Sequence, residues 1–129
     1  MARITGIGGV FFKCKDPEAL QVWYREKLGF ELEEYGGQTF HWRNDPKKPE
    51  EQYTVWSPFK AQTEYFDPSD KEFMINFRVD DLGSFVSLLK SRGIELIGGI
   101  DEEPYGRFAW IMDPEGTKVE LWEPLGSGG

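Results

Sequence analysis

The sequence is poor in the residues on which most reactive centres depend. It has one histidine and one cysteine in 129 residues. An intrachain disulfide, a CxxC pair and any site drawing two histidines from one chain are therefore excluded. No Ser/His/Asp or Cys/His arrangement stands out, and no glycine-rich phosphate loop is present. Positive charge is also short: 15 Lys and Arg face 23 Asp and Glu, for a net charge of -8 and a pI near 4.7. That balance disfavours phosphate backbones and anionic lipid heads and favours a neutral or cationic ligand, so nucleic acid and membranes are not expected partners. No apolar run approaches the roughly 18 residues of a membrane span. The start Met1-Ala2-Arg3-Ile4-Thr5-Gly6 has no hydrophobic signal region, which leads us to expect a cytoplasmic protein. The lone Cys14 falls in the alternating set Val10, Phe12, Cys14 and reads as a small buried hydrophobe.

Aromatic side chains, by contrast, are plentiful. With 39% hydrophobic and 16% aromatic residues, the chain can bury a core as a single domain over 1–129. Alternation predicts a strand over 4–15, followed by a helix that starts at Asp16-Pro17 and carries Leu20, Trp23, Tyr24 and Leu28 at helical spacing before Gly29. Short strands are predicted over 30–35, 38–43 and 53–56, separated by Gly36-Gly37 and a charged loop over 45–52. The order then repeats: a strand over 73–79, a helix over 81–92 with Leu82, Phe85, Leu88 and Leu89 inward, and strands over 94–97, 107–112 and 118–123.

Residues recur as well as elements. Gly29-Phe30-Glu31-Leu32 is echoed by Gly93-Ile94-Glu95-Leu96, and the run from Phe40 to Pro46 by the run from Phe108 to Pro114. Val55-Trp56-Ser57-Pro58 is answered by Leu121-Trp122-Glu123-Pro124, so the offset stays at about 64 to 68 residues, one supersecondary module. The chain thus reads as α+β, with module 1 over about 1–59, a linker over about 60–72, module 2 over about 73–125 and a flexible tail at 126–129. Phe59, Tyr65 and Phe66 in and beside the linker imply that it packs rather than floats.

The stretch from Tyr105 to Trp122, with its Asp113-Pro114-Glu115-Gly116 turn, resembles the closing hairpin of the vicinal oxygen chelate superfamily, which contains glyoxalases, bleomycin-resistance proteins and extradiol dioxygenases. The opening Ile4-Thr5-Gly6-Ile7 and the segment from Phe73 to Leu82 resemble its other two signatures, so the likeness covers nearly the whole chain. It implies two tandem βαβββ modules forming a curved, half-open mixed sheet, with helices on the convex side, a ligand site in the concave side, and a homodimer. In metal-dependent members a carboxylate and histidines hold a divalent ion there. Here the closing-strand glutamate is matched by Glu120, but the histidine positions fall at Gly9 and Met74, and the first-module counterpart of Glu120 is Thr54. Such a site needs two or three good N or O donors, so neither a metal nor another cofactor is expected. His41 is read as a packing histidine on the helix-covered face, because its repeat partner is Ala109.

Carried around the sheet, the same alternation sends Phe11, Lys13, Phe40, Trp42, Trp56, Met74, Asn76, Arg78, Phe108, Trp110, Met112, Glu120 and Trp122 to the concave face. Trp42, Trp56, Trp110 and Trp122 share one parity, whereas Trp23 lies on the helix outside this set. The lining suits a flat or amphipathic organic molecule stacked on rings and oriented by Arg78, Asn76 and Glu120. Two functions fit: a metal-free small-molecule-binding protein, or a lyase, isomerase or dioxygenase-like enzyme whose acid-base work falls to Glu120, with or without a divalent metal.

Overall fold

The computed structural model describes residues 2–42 and 52–125. Arg43, most of the charged loop 45–52 and the tail 126–129 lie outside the described residues. Among the described residues the elements are β1 (Ile4–Cys14), α1 (Pro17–Leu28), β2 (Gln38–His41), β3 (Tyr53–Lys60), β4 (Phe73–Val79), α2 (Leu82–Ser91), β5 (Asp101–Glu103), β6 (Gly106–Met112) and β7 (Lys118–Pro124).

Both helices begin where side-chain chemistry satisfies their free amides. Asp16 accepts from the Ala19 N–H at 3.1 Å, Pro17 occupies the first turn, and Gly29 closes α1 at φ 73°, the left-handed region in which glycine carries no steric penalty. Asp81 caps α2 in the same way, accepting from both the backbone N–H and the hydroxyl of Ser84. The helix burying more apolar surface is α2: Leu82, Phe85, Val86 and Leu89 form the core with Val79, Ala109 and Leu121.

The seven strands make one open mixed sheet in the order β2-β3-β1-β4-β7-β6-β5. The two modules meet within a single chain, β1 antiparallel to β4, while β3 and β7 lie parallel to the outer sides of that pair. Against one face, α1 packs chiefly on β3 and α2 on β6 and β7. The linker packs against part of the other face: Phe66 is fully buried, the Lys13 N–H bonds the Glu72 carbonyl at 2.7 Å, and the Ser69 hydroxyl bonds the Gly116 carbonyl at 2.6 Å.

Two expected strands are absent. Over 30–35 the Glu31 N–H is taken by the Gln38 side-chain oxygen and the Glu33 N–H by the Gly37 carbonyl, so a tight turn through Gly36 replaces a ladder. Over 94–97 the Ile97 N–H reaches the Trp110 carbonyl, but the edge ladder on β6 belongs to Asp101–Glu103. The second module keeps the βαβββ order with its second strand moved along the chain, and the first contributes three strands to the sheet.

Candidate functional site

The site begins with one rung of the sheet. In strand register Asn76 on β4 and Trp110 on β6 stand directly beside Glu120 on β7, and alternation sends all three side chains to the concave face. Both neighbours donate to the carboxylate: Asn76 Nδ2 to Oε1 at 2.6 Å and Trp110 Nε1 to Oε2 at 2.8 Å. A third donor comes from outside the sheet, where the Tyr65 hydroxyl of the linker reaches Oε2 at 2.5 Å. Glu120 is 2% exposed. An isolated buried carboxylate costs several kcal/mol, but a hydrogen bond to a charged group returns about 1.5–3 kcal/mol. Three of them offset that cost without another ion.

The surroundings hold the Tyr65 hydroxyl in its donating form. Burial, and then the neighbouring Glu120 charge, push the Tyr65 phenol far above its ordinary value. Lys118 borders the same spot: its Nζ donates to the Tyr65 carbonyl at 2.7 Å and lies 5.4 Å from the Tyr65 ring centre and 5.5 Å from that of Trp110. Burial lowers the Lys118 ammonium, and Glu120 opposes that shift.

Two residues along β4, Arg78 occupies an aromatic cage. Its guanidinium carbon sits 5.7 Å from the ring of Trp42, 5.1 Å from that of Tyr53 and 5.2 Å from that of Trp122. Arg78 is 3% exposed, and burial lowers its guanidinium while Tyr53 works in the other direction. Phe108 lies parallel to both Trp122 (5.9 Å, 4°) and Trp110 (6.2 Å, 14°), so a continuous aromatic wall joins the Arg78 cage to Glu120. Glycine makes room for it on β1. A Cβ at Gly6 would lie 2.1 Å from the Trp42 ring, and one at Gly8 would lie 2.2 Å from Asn76 Oδ1.

Of the lining residues read from sequence, Phe11, Met74, Asn76, Arg78, Phe108, Trp110, Met112, Glu120 and Trp122 share this face, with Trp42 reaching it from the end of β2. Lys13 also lies there, over the Phe66 ring. Phe40 and Trp56 do not. Trp56 packs on Tyr24 of α1 and on Phe30, and Phe40 meets Phe30 edge-on, so both belong to the helix-covered face. The cause is register. Gly9 pairs with Val55 and Val10 with Trp56, one residue out of step with the identity-based match of Trp56 to Trp122, and a one-residue slip exchanges the faces of a strand. The slip also moves His41 onto the concave side, 5.8 Å from Tyr53, which corrects its expected place. Tyr53, Phe59 and Tyr65 complete the wall. Correct β3 parity would have found the first two; Tyr65 lies in a non-periodic segment.

A divalent metal does not fit this donor set. Gly9 offers no side chain, and Met74 offers a fully buried thioether. Thr54 is spent elsewhere, its hydroxyl donating to the Ile7 carbonyl at 2.6 Å and accepting from Trp42 Nε1 at 2.7 Å. Both Glu120 oxygens face hydrogen-bond donors. Among the described residues no cluster of three or more His, Cys, Asp or Glu is arranged to hold a metal. Cys14 lies apart from the site, and burial, followed by the Asp16 charge, raises its thiol above the ordinary range.

The architecture has known counterparts. A Streptomyces coelicolor methylmalonyl-CoA epimerase in complex with 2-nitronate-propionyl-CoA is similar with a TM-score of 0.70 and 17% identity, over 98% of this chain and 99% of that one. The Mycobacterium tuberculosis methylmalonyl-CoA epimerase gives 0.64 and 19%, over 95% and 89%. A glyoxalase/bleomycin resistance protein/dioxygenase superfamily member from Vibrio splendidus 12B01 gives 0.55 and 13%, over 95% and 99%. At such identities the likeness is one of fold. No curated protein matches the chain in sequence. The family's sequence pattern matches residues 6–121, nearly the whole length, and the chain belongs to the Glyoxalase/Bleomycin resistance protein/Dioxygenase superfamily.

Proposed function

We propose that the concave face binds a small aromatic or amphipathic organic molecule without a metal, with the wall of Phe108, Trp110 and Trp122 for stacking and Glu120 and Arg78 as polar anchors. One observation carries this reading: two opposite charges, 2% and 3% exposed, lie two positions apart on one sheet face, Glu120 enclosed by hydrogen-bond donors and Arg78 by aromatic rings. Burying two charges is costly for a sheet that apolar residues would stabilise as well, so their retention favours a recognition role. In this reading the protein works in the cytoplasm as a homodimer. The exposed apolar residues Ile4, Ile7, Phe73 and Trp23, left uncovered on the helix side, support that assembly.

Native mass spectrometry of freshly purified protein is the test: a retained organic mass without a metal supports the reading, whereas one tightly held divalent ion per chain refutes it. The alternative is an enzyme in which Glu120 moves a proton. Epimerases among the structural relatives favour it, and turnover of methylmalonyl-CoA by the purified protein would replace binding with catalysis.

A further inference from the structure

Glu120 is held by three donors of two kinds. Asn76 and Trp110 are fixed by the sheet ladder on either side, while Tyr65 arrives from the linker and is 40% exposed. Its ring covers the carboxylate from the solvent side, parallel to Phe59 (5.7 Å, 11°) and edge-on to Trp110 (6.5 Å, 89°), with the Lys118 ammonium over it. The slot thus offers a planar face, a T-shaped edge, a cation and a carboxylate acceptor, and a neutral phenol fills it. After Tyr65 the linker is anchored by buried Phe66 and by the Ser69 hydroxyl, and before it the Thr63 N–H bonds the Lys60 carbonyl at 3.0 Å, so rotation of the Tyr65 side chain alone vacates the slot.

Resting on the binding function proposed above, we infer that Tyr65 is a tethered stand-in for the ligand, and that the slot takes a planar aromatic molecule with a neutral O–H donor, a phenol, which displaces the Tyr65 ring and donates to Glu120 Oε2. Ligand and Tyr65 compete for one acceptor. Tyr65 is therefore a specificity-determining residue: it keeps out molecules whose hydrogen bond to Glu120 is no better than its own, and it holds the carboxylate satisfied when the slot has no visitor.

Free p-cresol is the Tyr65 side chain without its tether, so it is the probe. Titrated into the Tyr65→Gly protein, it is expected to give a saturable change in tryptophan emission and a higher melting temperature. Its affinity should exceed that of toluene at least tenfold, and exceed its own affinity for the unaltered protein at least tenfold. Toluene binding as tightly as p-cresol, or the unaltered protein binding p-cresol as tightly as Tyr65→Gly, overturns the inference. If Tyr65→Gly does not fold alone, refolding to the native near-ultraviolet circular dichroism with p-cresol but not with toluene is the supporting result, and equal recovery with both is the contrary one. Should the unaltered protein bind a stacking ligand sensitive to Arg78→Ala while Tyr65→Gly ignores p-cresol, the Tyr65 inference falls and the binding function stands.

Discussion

Asn76 and Glu120 face one another across the parallel pair β4 and β7, and the 2.6 Å bond from Asn76 Nδ2 to the carboxylate fixes which way the amide points. With its nitrogen committed, Asn76 Oδ1 is turned toward Gly8 and is buried without a hydrogen-bond partner among the described residues. A charge, an amide and a glycine on three adjacent strands are thereby coupled.

That coupling makes Glu120→Gln more damaging than its shape suggests. The new amide group would set two N–H donors among groups that already donate, leaving buried donors unpaired at about 1–3 kcal/mol. Urea unfolding followed by circular dichroism should record the loss. A Glu120→Gln protein as stable as the parent would mean that the carboxylate is not held as described.

Gly8→Ala is expected to destabilise by about 1–3 kcal/mol, in the range of overpacking substitutions. The added methyl would meet Asn76 Oδ1 at 2.2 Å, Arg78 Cγ at 3.0 Å and the Trp122 ring at 3.1 Å, and the amide cannot retreat without giving up Glu120. Thermal unfolding of the variant beside the parent checks this, and an unchanged melting temperature would place the Asn76 side chain elsewhere.

The raised Tyr65 phenol predicts a pH dependence of definite sign. The unfolded chain releases this proton near pH 10, whereas the folded protein retains it to higher pH, so the folded state binds more protons above that point. Stability is therefore full below about pH 10 and falls as pH rises beyond it. Tyr65→Phe, which has no proton to lose, should show a shallower alkaline decline in equilibrium unfolding. Identical alkaline profiles would contradict the Tyr65 to Glu120 bond.

Much of this was legible in the sequence, and the uneven part has a physical cause. In the second module Met74, Asn76 and Arg78, then Phe108, Trp110 and Met112, then Glu120 and Trp122 alternate along strands that pair without interruption, so parity alone placed them. The first module contains register shifts between Ile4 and Gly6 and between Ile7 and Gly9, and its β3 lies one residue out of step with the apparent repeat. Phe40, Trp56 and His41 take the opposite face from the expected one for that reason, and Tyr53 and Phe59 do not show as lining residues. Tyr65 carries no periodic signal because a turn, not an element, positions it.

The donor set predicts that elemental analysis after dialysis against a weak chelator finds no stoichiometric zinc, iron, nickel or manganese. One equivalent of any of these per chain would require the Glu120 hydrogen bonds to be rearranged.

The most direct test of the central claim is the affinity of the chelator-treated protein for a stacking aromatic ligand, found by screening tryptophan emission and measured by calorimetry. The predicted result is saturable binding that Trp122→Ala and Arg78→Ala each weaken by on the order of 1 kcal/mol or more, with Trp23→Phe on α1 leaving it unchanged. Equal sensitivity to Trp23 and Trp122, or binding that appears only when a divalent metal is restored, would contradict it.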